Sequence, residues 1–241
     1  MNKLMIAAVL TVACLCSATS ALAQRGANKP SVGVAEFRNE SGAGWWRGGV
    51  GWELSGMLSN ELASTGAFRV VERNQLGAVL QEQDLAASGR VRQGTGAAPG
   101  EITGAQYLVT GTVTAYEENT ASTGGGVSFR GISLGGKRSE AYLAVDLRVI
   151  DTTTGEVAFS RTVEGRTSGG GVSVGVFRGG FGGALASERN TPAGKAIRAA
   201  LVEITDYLEC AMVTQTRGCM AEFDAKEDSR RDSNRSGLRL D

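Results

Sequence analysis

Two short glycine-rich blocks constrain this chain more than any other feature. Residues 123–129 read TGGGVSF and residues 168–174 read SGGGVSV. Glycine supplies 35 of 241 residues and proline only 3. That is about twice the usual share of glycine, and no G-X-Y period accompanies it, which excludes a collagen-like helix. Glycine weakens strands through its backbone entropy, so one reading makes the blocks surface loops. The other makes them two membrane-inserted β-hairpins, whose strands need about 9–11 residues alternating between lipid and lumen. In that reading the first hairpin falls in residues 120–150, with Val127, Phe129, Ile132, Leu134, Ala141, Leu143 and Val145 facing lipid. The second falls in residues 157–185, with Val172, Val174 and Val176 facing lipid. Two hairpins are too few to close a barrel, because the smallest single-chain barrels have about 8 strands. Open sheet edges are not tolerated in lipid, so several copies would have to share one barrel.

Around these blocks the pattern is that of a small α+β core, a mixed sheet with flanking helices. Residues 31–37 (SVGVAEF) predict a buried strand and residues 68–72 (FRVVE) a short one. Leu54, Met57, Leu58 and Leu62 form one helical stripe between them, with Gly66 as C-cap. Asn74 predicts the cap of a second helix, carrying Leu76, Val79, Leu80 and Gln83. Residues 107–117, 141–149 and 157–163 alternate like strands, and residues 153–156 (TTGE) predict a turn. Thr191-Pro192 opens a last helix whose stripe is Ile197, Ala200, Leu201, Ile204, Tyr207, Leu208 and Ala211. Residues 24–30 read as a linker, residues 31–223 as the folded domain, and residues 224–241 as a charged, disordered tail.

Lys3, the apolar run after it and Ala21-Leu22-Ala23 predict a secretory signal peptide over residues 1–23. The alternative is a lipoprotein signal acylated at Cys14, although Thr11 stands where that signal prefers Leu. Cleavage after Ala23 leaves Cys210 and Cys219. Export to an oxidising compartment makes a disulfide between them the expectation; two reduced, buried thiols are the alternative. Lys plus Arg and Asp plus Glu are 25 each, so no basic field exists to carry nucleic-acid binding. The chain has no histidine, which removes the Ser-His-Asp triad and every histidine-bearing metal site. Gly49-Val50-Gly51 is a faint echo of a phosphate-binding turn without its full glycine spacing. No enzyme activity, cofactor or metal is expected.

Several segments, in order, resemble one family. They are VGVAEFRNESG (32–42), FRVVERNQLGAVLQEQDL (68–85), GAQYLVTGTVTAYE (104–117), AVDLRVIDTTTGE (144–156) and GVFR (175–178). Together they resemble the CsgG/HfaB-type subunits of curli secretion and holdfast attachment, over about residues 31–212. The resemblance implies an outer-membrane homo-oligomeric ring whose periplasmic domains support one shared β-barrel. Through it, unfolded curli-like or adhesin subunits pass without ATP. The partners implied are a periplasmic factor that delivers substrate and a surface-exposed factor. The family's pore is narrowed by a loop just after the first strand's acidic turn, which here is residues 43–52 (AGWWRGGVGW). Trp45, Trp46 and Arg47 are thereby the constriction candidates, although the loop lacks the curli channel's Tyr/Asn/Phe pattern. The competing expectation is a soluble or lipid-anchored periplasmic module with the same core, similar to activators of cell-wall synthases, with the glycine blocks as surface loops.

Overall fold

The computed structural model describes residues 29–122, 127–129, 132–134, 137–167, 185 and 191–237. The signal peptide, Cys14, Val172, Val174 and Val176 lie outside them, as do the side chains of Val127, Phe129, Ile132 and Leu134. Eight strands and four helices occur among the described residues. They are β1 (Ser31–Val34), β2 (Arg38–Asn39), α1 (Val50–Thr65), β3 (Arg69–Val71), α2 (Leu76–Ala87), β4 (Tyr107–Ser122), β5 (Val127–Phe129), β6 (Ile132–Leu134), β7 (Lys137–Asp151), β8 (Val157–Thr167), α3 (Pro192–Glu209) and α4 (Arg217–Gly237). A π-helical turn, Cys210–Thr214, follows α3.

The main sheet is mixed and six-stranded, in the order β3-β1-β4-β7-β8, with β2 pairing to β4. β3, β1 and β4 run parallel, whereas β4, β7 and β8 are antiparallel neighbours. α1 covers β1 and β3, α3 covers β7 and β8, and the two helices touch each other. They therefore share one face of the sheet, and the core lies beneath them. Val32, Val34, Val109, Val113, Leu147 and Val149 come to it from the sheet; Leu54, Leu58, Leu62, Ile197, Leu201, Ile204 and Leu208 come from the helices.

The helix ends follow local chemistry. Thr191 caps α3, its Oγ1 accepting the Gly194 N–H at 3.1 Å, with Pro192 at the first helical position. α1 ends on Gly66 in the left-handed conformation, at φ 68°. α2 starts one residue later than predicted: Gln75 is its N-cap and supplies no side-chain bond. The Glu72 carboxylate takes that role instead, accepting the Asn74 and Gln75 N–H groups at 2.6 and 3.0 Å.

Three expectations need correction. Ala141, Leu143 and Val145 do not face lipid; they are 2–3% exposed and belong to the core. Here β7 is paired on both sides, and α3 lies over it close enough for Ala196 and Ala200 to approach Gly165. Period-two alternation is the same for a strand covered by a helix and one covered by lipid. Only part of the stripe predicted for α2 is covered, with Leu76 half-buried. Gln83 is buried, while Val79 and Leu80 are exposed. Finally, helix α4 runs through most of the segment expected to be a disordered tail. The charges that suggested disorder pair along and across the helix, as in Glu222–Lys226, Glu227–Arg230 and Glu227–Arg231. Phe223, only 5% exposed, anchors it to the domain.

Candidate functional site

The loop joining β2 to α1 has a defined conformation. Asn39 Oδ1 accepts the Ser41 N–H and hydroxyl at 3.0 and 2.7 Å, which folds the acidic turn back on itself. The Glu40 N–H donates to the Val113 carbonyl at 2.8 Å and ties the turn to β4. Trp46 N–H donates to Ala43 O at 3.1 Å, and Val50 N–H to Arg47 O at 3.2 Å. Gly51 serves packing rather than phosphate binding: a Cβ there would meet the Phe37 carbonyl, and the Phe37 N–H donates to the Gly51 carbonyl at 3.2 Å. The faint phosphate-loop echo therefore corresponds to a close approach between α1 and the chain after β1.

The three constriction candidates have different surroundings. Trp45 is 8% exposed and packs into the core. Its ring lies 5.6 Å from Trp46 and 5.6 Å, edge-on, from Tyr116. Trp46 is partly buried, and Arg47 is exposed. The buried Trp45 Nε1–H has no hydrogen-bond partner among the described residues. Leaving such a donor unpaired costs about 1–3 kcal/mol. Trp46 and Arg47, with Glu36, Arg38 and Glu40, line an open cleft of about 610 Å³. Phe37 and Asn39 also line it.

β4 and β7 form one long antiparallel hairpin. Their register runs from Tyr107 opposite Asp151 to Ser122 opposite Lys137, shifting once between Val113 and Ala115. β8 accompanies β7 only as far out as Ala141, so beyond that point β4 and β7 pair with each other alone among the described residues. Further out, β5 and β6 pair with Val127 opposite Leu134, Ser128 opposite Ser133, and Phe129 opposite Ile132.

At the far edge of the sheet, α4 is fastened by aromatic and ionic contacts. Arg161 stacks over Tyr207 at 5.2 Å and Phe223 at 5.4 Å, and its Nη2 donates to the Phe223 carbonyl. Lys226 bridges Glu203 and Glu222 at 2.9 and 3.1 Å. The Glu227 carboxylate accepts from both Arg230 and Arg231, and the Arg230 bond chiefly holds its pKa down at about 2. Burial, reinforced by Glu203 and Glu209, pushes the Asp206 pKa up. Cys210 and Cys219 are joined by a disulfide across the turn between α3 and α4. Among the described residues, no three His, Cys, Asp or Glu side chains converge as a metal site. No described helix is long and apolar enough to cross a membrane.

Comparison with known proteins adds three likenesses. A lipoprotein of Neisseria meningitidis serogroup B is 29% identical over 133 residues, 54% of each chain, so this chain spans about half the length of that relative. A hypothetical protein of Chlamydia trachomatis is 16% identical, with 77% of this chain and 99% of that one covered at a TM-score of 0.45. The PelC dodecamer of Paraburkholderia phytofirmans is 17% identical, with 75% and 86% covered at a TM-score of 0.34. The family model described as "Curli production assembly/transport component CsgG" matches residues 15–238, and by that match over nearly its whole length the chain belongs to the CsgG family.

Proposed function

We propose that this chain is one subunit of a homo-oligomeric outer-membrane channel that passes unfolded curli-like or adhesin subunits without ATP. The observation that carries this reading is the β4–β7 hairpin. Its described pairing runs on past Ala141, the last residue of β7 that the described part of β8 accompanies. Four further pairs, from Asn119 opposite Glu140 to Ser122 opposite Lys137, extend the described ribbon about 13 Å beyond that point at about 3.3 Å per residue. A free two-stranded ribbon of that length is marginal in water. Neighbouring ribbons in a closed barrel would satisfy its edges. Membership of the CsgG family supports the same reading.

With Trp45 committed to the core, Trp46 and Arg47 are the groups available to line a constriction. Trp46 offers an apolar surface for an extended chain, and Arg47 adds an electrostatic filter. The test is to fractionate the envelope and measure native mass with and without detergent. A large assembly in the outer membrane, dispersed only by detergent, is the expected result. A monomer of the mature chain in the soluble periplasm would overturn the channel and leave the periplasmic module as the better account. With an assembly in hand, Trp46→Ala and Arg47→Ala should each change single-channel conductance without changing native mass.

A further inference from the structure

β8 ends the main sheet, and among the described residues no strand pairs with its outer edge. The Ala141 N–H donates to Thr167 Oγ1 at 3.0 Å and the Asp151 N–H to the Glu156 carbonyl at 2.9 Å, so the odd-numbered residues of β7 turn their amides toward β8. Their partners on β8, Arg161, Val163 and Gly165, turn theirs back. Thr162, Glu164 and Arg166, between and beyond them, therefore turn their N–H and C=O groups outward. A row of that kind is a template on which another extended chain can add as a strand.

The same edge lies against α4. A cleft of about 670 Å³ runs between them. Arg161, Thr162, Val163 and Glu164 line one wall; successive strand residues point to opposite faces, so a cleft that touches all four follows the edge of the strand. Glu222, Lys226, Ser229 and Arg230 line the other wall, and their spacing of three and four puts them on one side of the helix.

α4 changes sides as it passes. Arg161 is opposite Leu147 and so stands on the face that α3 covers; there it stacks on Phe223, and Lys226 reaches Glu203 of α3. Two turns on, Arg230 bonds Glu227 and beyond it feels the carboxylates of Glu164 and Asp146. Those two carboxylates lie on the opposite face, alternating with the buried Val145, Leu147 and Val163. From Phe223 to Arg230 the helix advances about 10 Å and crosses the edge of β8.

We infer that α4 is a guard for the β8 edge: by crossing it, the helix blocks strand addition by an extended chain along Thr162, Glu164 and Arg166. Covering an edge with a helix is one of the ways proteins prevent edge-to-edge pairing. The Cys210–Cys219 disulfide and the Phe223 anchor hold the helix before the crossing, and Arg230 holds it at the crossing. The guard stands on the geometry of β8 and α4 and does not need the proposed channel. Within such a channel it would keep unfolded, strand-forming cargo from lodging on the subunit.

The test titrates the full chain in detergent into a fluorescein-labelled peptide of residues 157–167 (VAFSRTVEGRT), with binding read by fluorescence anisotropy. Ser229→Pro breaks the helix beyond its Phe223 anchor, and Arg230→Glu sets an anion against Glu164 and Asp146; neither changes a core residue. Each variant is expected to bind the peptide at least about tenfold more tightly than wild type. Thr162→Pro removes an outward N–H, and added to either variant it should abolish the gain; Thr162→Ala keeps that N–H and should preserve it. Circular dichroism verifies that each variant is folded, and should Ser229→Pro fail to fold, Arg230→Glu decides. Folded variants that bind the peptide no better than wild type would overturn the guard. So would a gain that survives Thr162→Pro, because the peptide would then be held by an uncovered side chain rather than by the strand edge.

Discussion

A close approach between α3 and the sheet makes a quantitative prediction at Gly165. This residue sits in β8 opposite Leu143, directly beneath the helix. A Cβ added there would run into the Ala196 carbonyl first, and would lie 2.9 Å from the Ala200 nitrogen and 3.0 Å from its Cβ. Ordinary carbon contacts are about 3.5–4.0 Å. Two of these obstacles are helix backbone and cannot rotate away. In Gly165→Ala, therefore, α3 must retreat by about 1 Å. A gap of that size forfeits about a quarter to a half of each affected van der Waals contact. Ile197, Ala200, Leu201 and Ile204 all pack on this interface. Overpacking typically costs about 1–3 kcal/mol, and an unyielding obstacle puts this substitution at the top of that range or above it.

For a domain of this size, about 3 kcal/mol lowers Tm by about 6–12 °C. Thermal unfolding followed by far-ultraviolet circular dichroism reads this directly. Gly111→Ala is the matched comparison. Its added Cβ would strike the Phe37 ring, including Cδ1 at 2.6 Å and Cζ at 2.8 Å. A side chain can yield where a backbone cannot, so Gly111→Ala should cost less than Gly165→Ala. Adding Ala200→Gly to Gly165→Ala should not restore stability, because the Ala196 carbonyl still blocks the site. A Gly165→Ala variant within about 1 kcal/mol of wild type, or a rescue by Ala200→Gly, would refute the close approach as the determinant of this interface.

Other perturbations have defined outcomes. Cys219→Ser removes a cross-link across a sequence separation of 9; the loop-entropy relation predicts a loss of about 2.7 kcal/mol, read by urea unfolding under oxidising conditions. Limited proteolysis should then cut α4 earlier than in wild type. Thr191→Ala removes the α3 cap at a cost of about 1 kcal/mol, and Thr191→Ser should retain most of it in the same unfolding assay. Glu227 has its pKa lowered from 4.5 to about 2 by Arg230 and Arg231. Its folded pKa lies below its unfolded one, so its stabilisation is complete above about pH 4.5 and disappears as pH falls through about 2. Glu227→Gln should accordingly be less stable than wild type at pH 7 and indistinguishable from it near pH 2, as measured by chemical unfolding across that range.

Much of the core was legible because local signals agreed. In α3 the Thr-Pro start, the apolar stripe and the burial of Ile197, Ile204 and Leu208 all coincide. The turn at Gly155 and the alternation in β7 were equally plain, but alternation could not say what covers the strand. That decision lies with α3, some 50 residues away in sequence. In α2 the apolar stripe was present without a matching surface inside the chain, and Gln83 within the stripe was the available warning. Trp45 and Trp46 are identical neighbours in sequence. Their different burial depends on Tyr116 in a distant strand, which no spacing rule around the loop reveals. Net polarity concealed the order in α4, because the Phe223 anchor, the Cys219 disulfide and a set of ion pairs hold it.

The parallel centre of the sheet also sets a timetable for folding. β1 lies between β3 and β4, and Ser31 exchanges hydrogen bonds with Gln106, 75 residues further along the chain. The first strand made thus waits for its second neighbour until β4 has been synthesised. At about 5–20 residues per second, synthesis alone separates these partners by about 4–15 s. During that interval the emerging chain has no closed sheet to hold it in a native shape.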